Sequence, residues 1–194
     1  KVEQEILFGG LEEKLEQLAV ATQKSASEQQ ISDIDSDQKE QQKKEQKAEL
    51  AEEELQVALK QQIDQGLVAV ERIEDKVIVT VGAGGAFPSG SAELTNEAKE
   101  IMSQIANVSA DGTSTIDVSG HTDNVPLIFG SRFRDNWDLA AARASSVVQS
   151  LEATKLVSAD RMQAVSFGES QPVETNDTAA GRAKNRRIEI VINY

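Results

Sequence analysis

The chain has 194 residues, with 20 Lys and Arg against 33 Asp and Glu, a formal net charge of −13 and a pI of about 4.6. Such an acidic surface repels phosphate backbones and no basic stripe offsets it, so nucleic acid is excluded as a partner. The lack of cysteine excludes disulfides and thiolate metal sites, and no apolar run reaches the roughly 18 residues needed to span a bilayer.

The two parts of the chain differ in composition. Residues 1–66 hold 13 of the 17 glutamines, none of the three prolines and a single aromatic residue, Phe8. They also hold 8 Lys and 16 Asp or Glu, most of the net negative charge. Two helical runs are expected there. Leu7, Leu11, Leu15, Leu18 and Thr22 recur at spacings of three and four, an apolar stripe on an acidic helix. After a polar break over 25–37, a second run over 38–65 carries Ala48, Ala51, Leu55, Ala58, Leu59 and Ile63. Two readings fit this half: a solvated linker, partly helical or disordered, or a helical spacer that pairs with its copy on a second chain.

From residue 67 onward a complete small domain is expected. A β-branched strand over 77–81 is followed by the glycine run GAGGA at 82–86. That run fits neither G-x-G-x-x-G nor a phosphate loop, and reads as a turn. A helix is expected over 93–108, a strand over 114–119, a helix over 136–153, a strand over 161–167 and a last strand over 187–194. The order β-α-β-α-β-β implies an α+β fold with helices on one face of a mixed sheet.

The chemistry concentrates at the end of the second of these strands. Ser119, His121 and Asp123 resemble a triad in sequence, and His121 is the single histidine. On one strand neighbouring members of this set stand about 6.6 Å apart with parallel side chains, whereas a triad needs consecutive hydrogen bonds. His121 therefore reads as structural, and no third ligand stands at metal-site spacing. Asp123 and Arg143 carry more. Asp123 closes a strand, and Arg143 lies seven residues after Asn136, nearly on the same helix face. Asp135 or Asn136 suits the helix N-cap, and the helix N-terminus favours a carboxylate ligand. An acid and a base at one rim fit a zwitterion, and equally a salt bridge serving only the fold.

Four blocks stand in order: VSGHTD at 118–123, NWDLAAARA at 136–144, FGESQPVETNDT at 167–178 and GRAKNRRIEI at 181–190. Together they resemble the OmpA-like peptidoglycan-binding domain over about residues 67–194, and FPSGSAEL at 87–94 is similar to that family's opening turn. The long loop 124–135 and the NWDLAAARA spelling resemble the B subunits of flagellar motor stators (MotB and PomB), and the Gln/Glu-rich leader most resembles the sodium-driven PomB type. The resemblance implies a non-catalytic periplasmic anchor without cofactor. It also implies a single inner-membrane helix ahead of this fragment, pairing with the stator A subunit, homodimerisation and basal-body ring proteins as partners. The implied ligand is the diaminopimelate stem peptide of peptidoglycan, its ammonium taken by Asp123 and a carboxylate by Arg143, with Thr122, Asn136 and Arg187 in support. The alternative is the same wall-binding domain in a non-motor outer-membrane protein or lipoprotein.

Overall fold

The computed structural model describes the backbone of residues 2–110 and 112–194 and the side chains of 14–24, 34–110 and 112–194. Two compact units are distinguished, Lys1–Lys43 and Lys44–Tyr194. The first helix, α1 (Val2–Ala58), is 57 residues long. It contains no proline and is rich in Glu, Gln, Lys, Leu and Ala, all good helix formers. The polar segment 25–37, expected to break it, is helical throughout. In the first unit Leu15 and Leu18 are exposed, and the expected partners Leu7 and Leu11 lie outside the described side chains.

The second unit begins earlier than the composition suggests. Ala48, Ala51 and Leu55 of α1, and Leu59 after it, are at most 4% exposed and belong to the hydrophobic core. Lys47 Nζ donates to Thr113 Oγ1 at 3.0 Å and Arg72 Nε to Glu52 Oε2 at 3.2 Å, tying this end of α1 to the domain. The expected boundary at 66/67 therefore does not separate linker from core. A short α2 (Lys60–Asp64) follows, with Ile63 packed against the same core.

The sheet has five strands in the order β1-β2-β5-β3-β4: β1 (Val68–Ile73), β2 (Lys76–Gly82), β3 (Thr115–His121), β4 (Met162–Gly168) and β5 (Arg187–Asn193). Only β3 and β4 run parallel. The sequence pattern omits β1, which closes a hairpin with β2 across Glu74 and Asp75. Glu74 adopts φ 55, a left-handed conformation supplied without glycine or asparagine, so the usual hairpin signal is missing. Val77, Val79, Val81, Ile116, Val118, Ile188, Ile190 and Ile192 turn one sheet face into the core, as strand alternation requires.

Helices cover that face. The glycine run forms one helical turn, α3 (Ala83–Ala86), and α4 (Asn96–Val108) contributes Ala98, Ile101, Met102 and Ile105 to the core. It starts three residues later than expected because Thr95 Oγ1 accepts from Ala98 N and fixes the N-cap. α5 (Asn136–Ala153) makes the crossover from β3 to β4, burying Ala144, Val147 and Leu151. A 3₁₀ turn (Ala159–Arg161) leads into β4, and α6 (Ala179–Asn185), another element the pattern omits, is capped by Thr178.

α5 lies close on β3 at Gly120. A Cβ there would overlap the Ala140 carbonyl oxygen, which is backbone and has no rotamer to yield. Gly120→Ala is expected to lower stability by about 2 kcal/mol through forced separation of helix and strand, read as a lower denaturation midpoint at unchanged m-value.

Candidate functional site

The site forms where β3 ends. The register of β3 on β4 shifts between Gly120 and His121, and such an irregularity re-aims the residues beyond it. Thr122 N then donates to Gly168 O at 2.8 Å. Gly168 has φ 50, and a Cβ on it would meet the Trp137 ring at 2.9 Å, so only glycine fits this join.

Asp123 is 7% exposed and both its carboxylate oxygens are engaged. Oδ1 accepts from Val125 N at 3.0 Å, and Oδ2 accepts from Arg186 Nη1 at 2.5 Å. Its ion-pair partner is thus Arg186, not Arg143. That corrects the simple salt bridge that the sequence allows between Asp123 and Arg143.

Arg143 approaches from α5, near enough for the charges of Asp123 and Arg186 to act on it. Its Nε donates to Ser91 O at 3.0 Å and its guanidinium lies 5.0 Å from the centre of the Phe87 ring. The cation–π contact and the carbonyl hold the group in place and leave its two Nη groups without a partner among the described residues. Burial and, after it, the nearby Arg186 lower its pKa to about 10, against the opposing pull of Asp123. It stays charged at neutral pH.

Asp135 is the N-cap of α5, accepting from Asp138 N at 2.8 Å. That leaves the Asn136 amide free to strap the loop: Nδ2 is shared among Asp123 O, Val125 O and Glu169 Oε2, at 3.2, 3.1 and 2.7 Å. Thr122 Oγ1 is buried with no partner among the described residues. Four of the expected residues, Thr122, Asp123, Asn136 and Arg143, are therefore buried around the end of β3.

Arg187 is placed differently. Its Nε donates to Glu189 Oε1 at 2.7 Å, and its Nη groups donate to the Gln171 and Asn185 carbonyls. His121, its register partner on β3, shares that side of the sheet. The imidazole is 2% exposed, stacks on Phe167 with ring centres 5.3 Å apart, and stands 3.8 Å from Glu189 Oε2. His121 and Asp123 thus have different partners on different groups, and no proton relay joins them. Sequence reasoning missed Arg186 and Glu169; the doubled arginine at 186 and 187 was the available signal for the first.

The model of the OmpA family matches residues 86–186. The chain belongs to the OmpA family. Motility protein B of Bacillus subtilis is 36% identical to this OmpA-family chain over 117 residues, 60% of it and 44% of that protein. The peptidoglycan-binding protein ArfA of Mycobacterium tuberculosis is 34% identical over 122 residues, covering 62% and 36%. Each of these two relatives is thus spanned for less than half its length. Among solved structures, the cell wall anchor of the T6SS from Pseudomonas aeruginosa superposes with a TM-score of 0.64 at 35% identity, covering 72% of this chain and 96% of that one.

Proposed function

We propose that this OmpA-family domain is a non-catalytic anchor that grips the stem peptide of peptidoglycan. The observation that carries the reading is the buried Asp123 carboxylate set beside two guanidiniums, Arg143 and Arg186, at the end of β3. A meso-diaminopimelate side chain offers an ammonium and a carboxylate on one carbon. Asp123 takes the ammonium and the unengaged Nη groups of Arg143 take the carboxylate, two charge-assisted bonds of complementary sign. Thr122 and Asn136 shape the pocket, and Arg187 acts at one remove by holding Glu189 and the 171 and 185 carbonyls.

Similarity to Motility protein B supports the fuller reading of a flagellar stator B subunit, paired with a stator A subunit and docked near the basal-body rings. In that reading two copies act together, so that two wall contacts on one complex gain avidity. The sodium-driven, PomB-like assignment rests on the Gln/Glu-rich leader. No helix among the described residues is long and apolar enough to cross a membrane, so the inner-membrane placement belongs to this proposal. A second reading, a wall anchor outside any motor, draws on the likeness to the T6SS anchor. Swimming assays separate them, since only a stator links wall binding to motility.

The site is tested by co-sedimentation with purified peptidoglycan. Asp123→Asn and Arg143→Ala are each expected to weaken retention at least about tenfold, the loss of one charge-assisted bond in a desolvated pocket. Pelleting of either variant equal to the parent removes the ligand assignment.

A further inference from the structure

Arg186 holds Asp123 at the end of β3, and its geometry is that of an exchangeable group. Of the two partners on the Asp123 carboxylate, the Val125 N–H is backbone and fixed, whereas the Arg186 guanidinium is a side chain. That side chain is 40% exposed and gives a single N–H to the pair, leaving Nε and Nη2 uncommitted among the described residues. Its backbone is pinned on both sides: Arg186 N donates to Arg182 O at 3.0 Å, and Arg186 O accepts from Ala83 N at 2.9 Å. The guanidinium can therefore swing while its Cα stays in place. Arg187 has no such freedom, being 6% exposed and bonded to Glu189 and two carbonyls.

An ammonium arriving at Asp123 finds Oδ1 on a backbone N–H and Oδ2 on Arg186. It gains a full charge-assisted bond only by taking the place of Arg186. We propose that Arg186 is the resident counter-ion of Asp123, displaced by the ligand's ammonium and re-used as a second clasp on its carboxylate. This rests on the reading of the site as a clamp for a zwitterionic stem residue.

The exchange gives the site its selectivity. Arg143 and Arg186 stand close enough to repel, and the Asp123 carboxylate acts on both charges. Glu169 is turned to the Asn136 amide. A ligand bearing an ammonium alone would add a third cation and strand the released guanidinium. A ligand with a carboxylate on the same carbon supplies the anion that Arg186 loses. The site thus discriminates between a diaminopimelate and a lysine stem residue, which differ by that one carboxylate, through Arg186 as well as Arg143.

The experiment uses the full 194-residue chain and two soluble stem tetrapeptides, identical except for meso-diaminopimelate or lysine at the third position, titrated by calorimetry. The parent is expected to prefer the diaminopimelate peptide by about tenfold. Arg186→Met should weaken that peptide and leave the lysine peptide as tight or tighter, since its competitor for Asp123 is gone, so the preference falls towards unity. Arg186→Lys, which keeps the charge but not the fork, should fall between. A preference unchanged in Arg186→Met, or a parallel loss of both peptides, overturns the exchange. Asp123→Asn is the control on the underlying reading and should lose both peptides. If it binds both as the parent does, the clamp itself is wrong; if it loses both while Arg186→Met matches the parent, only the exchange falls.

Discussion

A chain starting at residue 67 is expected to lose most of its stability, whereas one starting at residue 44 should unfold at the parent's midpoint. The reason lies at the end of α1. Leu55 and Leu59 are 0% and 1% exposed, with Ala48 and Ala51 beside them in the core. Truncating one such leucine to alanine costs about 2–5 kcal/mol by lost transfer energy and cavity formation. Removing both, with the segment that carries them, approaches the whole of the roughly 5–15 kcal/mol that keeps a domain folded. The ties from Lys47 to Thr113 and Glu52 to Arg72 go as well. In the full chain, Leu55→Ala should cost about 2–5 kcal/mol, while Leu18→Ala, at a position 62% exposed, should change the denaturation midpoint little. Equal midpoints for the 44–194 and 67–194 chains would show that the leader helix contributes no core. For the anchor reading this matters directly. A binding assay on a domain cut at 67 would report a damaged fold instead of a missing ligand contact.

What the sequence made legible, and what it hid, follows from the range of the forces involved. The β-branched run at 77–81 and the alternation of Ile188, Ile190 and Ile192 mark strands locally, and all three isoleucines enter the core. α5 falls at Asn136–Ala153, as expected, because Asp135 caps it within its own turn. Leu55 and Leu59 carry no such local signal. An apolar stripe between glutamates looks the same whether it meets a sheet or a second chain, and only the tertiary partner decides. β1 was hidden because Glu71 and Arg72 dilute its pattern and its hairpin turn uses Glu74 and Asp75. In the site, Asp123 and Arg143 were readable from their motif blocks. The ion pair from Asp123 to Arg186 spans 63 positions in sequence and depends on which of two adjacent arginines meets the pocket. The end of α6 and the start of β5 settle that: residue 186 goes to Asp123 and residue 187 to Glu189.

The same division of partners predicts an acid-sensitive fold centred on His121. Burial first and Arg187 second lower its pKa from 6.5 to about 4, against the opposing pull of Glu189. In the folded protein the imidazole is thus neutral where the unfolded chain would already be protonated. The unfolded state then binds more protons between about pH 4 and 6.5, so stability is intact above that window and falls as the pH drops through it. Between pH 7 and pH 5 the expected loss from this one residue is about 2 kcal/mol, with most carboxylates still ionised. His121→Phe keeps a ring to stack on Phe167 and has no proton to take up. Its urea midpoints at pH 7 and pH 5 should therefore lie closer together than the parent's, by the equivalent of about 2 kcal/mol. If the variant loses as much stability as the parent over that range, His121 is not the group that titrates. Because Arg187 and Glu189 both face the imidazole, Glu189→Gln removes its only favourable charge. That substitution should lower the His121 pKa still further and extend the window of acid-dependent stability loss to more acidic pH, whereas a histidine held neutral by desolvation alone would show no shift.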